Sequence, residues 1–114
     1  MILFSIIATA SIAVVPLDPA SQADLRCVAA LANEISQITD EKDITSYSVG
    51  MFYFLGKIDG RHSEIDLSAQ LYRLTNQTDF TAQMGRELSR CKIELGQRAK
   101  EVSAAAQQLE KAAK

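Results

Sequence analysis

From Phe80 to the C-terminus, apolar side chains return at steps of three and four residues or their multiples: Phe80, Met84, Leu88, Cys91, Leu95, Val102 and Leu109. That spacing describes a helix with one apolar stripe. From Met84 the register runs 84, 88, 91, 95, 98, 102, 105, 109, a heptad interrupted only by Arg98. Past Val102 the stripe is mostly alanine among Gln, Glu and Lys, so the end of the helix is expected to project from the folded body, solvated or seeking a partner. A stripe of this length has to be covered along its first half. The rest of the chain must therefore supply helices to cover it.

Three such segments are readable. Over residues 24–38, Leu25, Val28, Leu31, Ala32, Ile35 and Ile38 share a face, with Asp24 placed to cap the first turn and Cys27 beside the stripe. Residues 43–59 form a second helix, with Ile44, Tyr47, Met51, Phe54 or Leu55, and Ile58 inward. Met51 to Leu55 is apolar almost all the way round, which predicts that this helix is the most buried. Gly50 and Gly56 inside it each cost about 1 kcal/mol against Ala and point to a close neighbour. Gly60 is expected to end it in a left-handed cap. Residues 66–75, capped by Ser63 or Asp66, place Leu67, Leu71 and Leu74 inward, and Thr78 or Asp79 opens the last helix over 79–112. No strand-like alternation occurs. The expected fold is all-α: a small four-helix bundle, orthogonal or up-down, with a long C-terminal helix.

The start of the chain is different in kind. Residues 2–15, ILFSIIATASIAVV, carry no charge and are too short for a membrane span, which needs about 20 residues. They precede two prolines and the triplet Ser21-Gln22-Ala23, whose small first and third residues fit a secretory cleavage site. Residues 1–23 therefore read as a signal peptide cut after Ala23, leaving one domain over 24–114, although no Lys or Arg precedes the apolar run. The alternative is an uncleaved apolar helix or anchor. Arg26 before Cys27 argues against a lipidation box. Export places the mature protein in the periplasm or outside the cell.

An oxidising compartment decides the cysteines. Cys27 and Cys91 are the chain's two cysteines, and in a small exported domain two cysteines pair. No CxxC and no nearby His or Cys completes a metal set, so a redox or zinc role is set aside in favour of a structural bridge between the first and last helices.

Lys57, Asp59, Arg61 and His62 crowd the end of the second helix, with Glu64 close by. They are candidates for a small polar site. The plainer reading is a charged helix end with local ion pairs, and His62 as a solvated loop residue. No Gly-rich phosphate loop, GxSxG, HExxH or paired-carboxylate motif occurs, so no enzyme and no cofactor is expected. With 12 basic against 14 acidic residues spread along the chain, no basic face exists for nucleic acid.

Two resemblances follow from particular residues. Asp24-Leu25-Arg26-Cys27 opening a helix, the run Phe52 to Arg61, and Arg90-Cys91 with Glu94-Leu95 resemble a group of small exported alphaproteobacterial helical proteins without an assigned activity. One cysteine in an early helix and one in a late helix also resemble the periplasmic acid-stress chaperones of the HdeA and HdeB type. That second resemblance carries over Cys27 and Cys91 alone. It implies a bundle that loosens at low pH and shields unfolding clients. The leading expectation is an exported, non-enzymatic, disulfide-tied helical domain acting by protein contact, with a protein partner or client. The alternatives are an acid-stress holdase, or a small enzyme or ligand site around residues 57–62. The heptad also permits a homodimer through the C-terminal helix.

Overall fold

Asp18 sets the start of the first helix. Its carboxylate accepts a hydrogen bond from Ser21 N at 3.1 Å, and Pro19 follows where a missing N–H costs nothing. In the computed structural model, which describes residues 16–113, helix α1 runs Pro19–Ile35. It starts upstream of the expected Asp24 because the Asp18-Pro19 pair is itself a helix start. It stops short of Ile38, where Ser36 caps it and the hydroxyl of Ser36 bonds Asn33 O at 2.6 Å. Ala23, the residue before the expected cut, lies inside α1. Residues 1–15 of the expected signal segment lie outside the described residues.

Helix α2 runs Glu41–Arg61, opened by Asp40, whose side chain accepts from Lys42 N at 2.9 Å and Asp43 N at 3.2 Å. Gly60 is not its terminator. The helix continues to Arg61, His62 caps it with its N–H donating to Ile58 O at 2.8 Å, and no described glycine has a positive φ. Helix α3, Leu67–Thr75, is capped by Asp66 accepting from Ala69 N at 3.0 Å. Helix α4 runs Phe80–Ala112; its 33 residues extend about 50 Å at 1.5 Å each. Asp79 stands at its N-cap position but accepts instead from the Gln83 side chain at 2.9 Å. The described residues hold four helices and no strand.

The most buried helix is α1, not α2. Leu25, Cys27, Val28, Ala29, Ala30 and Leu31 are all buried, and α1 packs against each of the other three helices. The reason is size: Ala29 and Ala30 widen the face that neighbours can approach, so α1 buries an arc rather than a stripe. Helix α2 contributes Phe54 and Ile58, α3 contributes Leu74, and α4 contributes Met84 and Cys91. The run Met51 to Leu55 splits by helical geometry. Phe54 is wholly buried, while Phe52 faces solvent at 71 % exposure. Of the two interior glycines only Gly50 is at a close approach: a Cβ built there would lie 2.6 Å from Leu95 Cδ1, whereas nothing comes within 4 Å at Gly56.

Cys27 and Cys91 form a disulfide with Cα atoms 5.6 Å apart, joining α1 to α4 across a sequence separation of 64. Closing a loop of that size stabilises the fold by about 4 kcal/mol on chain entropy. Both cysteines are fully buried. Beyond Leu95, α4 buries nothing more: residues 96–113 are exposed throughout, including Val102 and Leu109. The projecting C-terminal helix expected from the alanine-rich half of the heptad is present. No helix among the described residues is long and apolar enough to cross a membrane.

Candidate functional site

Three of the four residues singled out at the end of α2 do meet charged partners, but on other helices. Helix α2 lies along α1 with Lys57 and Arg61, one turn apart, facing it. Lys57 Nζ donates to Asp24 Oδ1 at 3.0 Å and to Glu94 Oε2 at 2.8 Å. Arg61 Nη1 donates to Asp24 Oδ2 at 2.7 Å. Asp24 is thus not a helix cap. It is a carboxylate only 3 % exposed, holding one cation on each oxygen. A charge so placed is tolerated because both its oxygens are bonded.

His62, at the C-cap of α2, keeps a side chain 38 % exposed but has a partner. Its Nε2 lies 2.6 Å from Asp18 Oδ1. This hydrogen bond, with that from Ser21, holds the Asp18 carboxyl well below the usual carboxylate range. Asp59 stands apart: it is exposed and takes no part in these pairs. The local ion pairs expected around the turn are therefore replaced by pairs reaching 33 to 44 residues along the chain. Sequence spacing carries no signal for such contacts.

The belt continues onto α4. Burial pushes the Glu94 carboxyl up, but hydrogen bonds from Lys57 and Tyr53 outweigh it and leave the group below its ordinary value. Burial likewise opposes the charge on Lys57, and its bonds to Glu94 and Asp24 reverse that, raising its pKa. On the other side of α1, Arg26 Nε donates to Glu87 Oε1 at 2.8 Å and Arg90 Nε to Glu87 Oε2 at 2.6 Å. Against the cost of burying it, these two arginines lower the Glu87 pKa. Arg90 also donates to Ala23 O at 3.0 Å and reaches Cys27 Sγ at 3.2 Å, so it braces the α1 side of the disulfide.

These contacts form a clamp, and among the described residues there is no group of three metal-ligating side chains. A concavity lies elsewhere among the described residues. A pocket of about 330 Å³ opens where α1, α3 and α4 meet, floored by Leu17, Leu25 and Leu74 and edged by Arg26, Arg73 and Arg86. None of Lys57, Asp59, Arg61 or His62 lines it. Its wall includes Gln83, whose Nε2 is held by Asp79 and whose buried Oε1 has no hydrogen-bond partner.

The chain matches no protein-family model, and no curated protein and no solved structure matches it.

Proposed function

We propose that this is an exported, non-enzymatic domain that acts by protein contact, using the projecting end of α4. The observation that carries the reading is the exposure of every residue from 96 to 113, with Val102 and Leu109 at 68 % and 72 % on a continued heptad. A helix kept rigid by the disulfide at its buried half offers that face at small ordering cost. Export is supported by the apolar start of the chain and by a buried disulfide of the kind oxidising compartments sustain. Should a leader be removed, the cut belongs upstream of Leu17, which is buried, and of Asp18, which caps α1 and holds His62. The contact surface serves either a second copy or a different protein. Sedimentation of the intact chain and of a chain ending at Lys100, which lacks both Val102 and Leu109, separates these. A homodimer that dissociates on truncation supports self-pairing. A monomer that loses a partner in co-purification supports a heterologous contact. A tail whose removal changes neither ends the reading.

A second reading, a holdase active in acid, is favoured by one observation. The contacts that pin α2 and α4 to α1 run largely through carboxylates: Asp18, Asp24, Glu87 and Glu94. Protonating them releases these pairs while the disulfide keeps α1 and α4 joined, a state that would expose Phe54 and Ile58 without unfolding the chain completely. Dye binding and suppression of client aggregation, both appearing below about pH 4, test it. The absence of either gain rules it out.

A further inference from the structure

The pocket between α1, α3 and α4 has a composition that the clamp does not explain. Its floor is aliphatic: Leu17 and Leu74 are buried at 7 % and 6 % exposure, and Leu25 at 4 %. Its edge carries three guanidinium groups against one carboxylate, Glu87. Glu87 is already held by Arg26 and by Arg90, which lies outside the lining. Arg73 on α3 and Arg86 on α4 form no ion pair among the described residues. Two uncompensated cations therefore stand on opposite helices at the mouth of a cavity whose base is apolar.

From this arrangement we propose that the pocket binds a small amphipathic oxyanion, a carboxylate or phosphate monoester on a short apolar body. The head group would sit at Arg73 and Arg86 and the body on the three leucines. Arginine's fixed fork matches a carboxylate or phosphate oxygen pair. The volume lies at the small end of the range used for small-molecule sites. It suits a short acyl or aryl acid rather than a nucleotide or a peptide. A neutral or cationic molecule of the same body would leave both arginines unpaired. Arg26 Nε is already bonded to Glu87, so its charge is partly matched within the protein. The site lies apart from the end of α4 and from the belt around Asp24, so it stands independently of the contact role proposed for the tail.

The test uses the full chain and four probes sharing one alkyl length: octanoate, octyl phosphate, octanol and octylammonium. Titration calorimetry reads affinity, and amide chemical shifts locate the probe. The expected result is saturable binding of octanoate or octyl phosphate, with shifts at Leu25, Leu74 and Gln77 and none at Lys57 or Arg61. Which of the two binds more tightly identifies the head group. The double substitution Arg73→Gln with Arg86→Gln should weaken that binding by about tenfold or more. It should leave the melting temperature unchanged, since both side chains are exposed and unpaired. Arg98→Gln, on the projecting part of α4, should leave affinity unaltered. Equal binding of octanol, absence of binding by both oxyanions, or full affinity in the double variant would each overturn the proposal.

Discussion

Lys57 Nζ lies 3.0 Å from Asp24 Oδ1, a contact between residues 33 apart in the chain that links α2 to α1. Arg61 holds the other oxygen of the same carboxylate, so one buried acid ties α2 to α1 at two points a turn apart. Lys57 also lies 5.4 Å and 5.5 Å above the rings of Tyr53 and Phe54. Its aliphatic stem is thus part of the packing and its ammonium part of the belt.

Removing Asp24 should therefore cost more than removing any other single acid. Asp24→Ala leaves Arg61 without its carboxylate, and Lys57 with Glu94 alone, at a site that is 3 % exposed. The expected loss is about 2 to 3 kcal/mol, below the figure for a fully buried pair because both cations are partly solvated. Glu94→Gln, which leaves Lys57 bonded to Asp24, should cost less than 1 kcal/mol. Urea denaturation of both variants checks the order, and equal losses contradict it.

Reducing the disulfide, or replacing both cysteines by serine, should lower stability by about 4 kcal/mol through the greater freedom of the unfolded chain. Because Cys27 and Cys91 are both fully buried, reductant should act slowly on the folded protein and quickly once it is unfolded. Thiol alkylation with and without urea measures this. Rapid labelling of the native protein would show that α4 opens away from α1.

A chain beginning at Pro16 should be more stable than one beginning at Asp24. The shorter chain lacks the Asp18 cap, worth about 1 kcal/mol, and the burial of Leu17, worth about 2 kcal/mol. It also loses the Asp18–His62 contact and the wholly buried Ser21. Thermal unfolding of the two chains, together with the N-terminal residue of exported protein, tests whether the folded unit extends upstream of Ala23. Equal melting temperatures would return the boundary to Ala23.

Acid should weaken the fold in a defined direction. Asp18, Glu87 and Glu94 are all held below their ordinary values in the folded state. Their contribution is complete above the ordinary values of 3.8 for the aspartate and 4.5 for the glutamates, and is lost as pH falls through the lower folded values. Lys57, raised above 10.5, acts oppositely: its contribution is complete below that value and is lost as pH rises through the folded one. Through these groups the melting temperature should fall as pH drops below about 4.5 and again as it rises above about 10.5. Glu94→Gln should flatten part of the acid limb. A fall already complete at pH 6 would assign the dependence to another group.

The fold and the clamp were legible to different degrees, for physical reasons. The stripe through Met84, Leu88, Cys91 and Leu95 was readable because helical periodicity depends on neighbours three and four residues away. That the end of the stripe is bare was legible in the change to alanine after Val102, but not where it begins: the helix is already exposed from Gly96, and Val102 with it. The start of α1 was hidden because proline breaks helices in most positions and permits them at the first. The burial of α1 was hidden because Ala29 and Ala30 mark a close approach only when the partner is known. Phe52 shows the converse: apolar composition on every side of a helix does not decide which side is covered. Asp24 and His62 could not be paired with their partners from spacing, since the chain between them sets no distance. The edge of the pocket had no signal either, because Arg73 and Arg86 lie on helices whose relative placement only tertiary packing determines.

The two interior glycines of α2 should respond oppositely to alanine, and together they test the packing of α2 against α4. At Gly56 an added Cβ meets nothing within 4 Å. Gly56→Ala should stabilise by about 0.5 to 1 kcal/mol through helix propensity and the reduced freedom of the unfolded chain. At Gly50 the same propensity gain is opposed. The new Cβ would lie 2.6 Å from Leu95 Cδ1 and 3.4 Å from Leu31 Cδ1, at a buried point between α2, α4 and α1. Leu95 is only partly buried and its terminal methyl can rotate aside, so alanine there should fall near neutral or destabilise by about 1 kcal/mol. A larger residue cannot be relieved by that rotation, and Gly50→Val should cost about 2 to 3 kcal/mol. Shortening the obstacle in the same chain, by Leu95→Ala with Gly50→Ala, should recover part of the loss. The coupling between the two positions, measured by a double-mutant cycle in urea, should then exceed about 0.5 kcal/mol. A gain at Gly50 as large as that at Gly56, with no coupling to Leu95, would mean that α2 and α4 do not approach each other at this point.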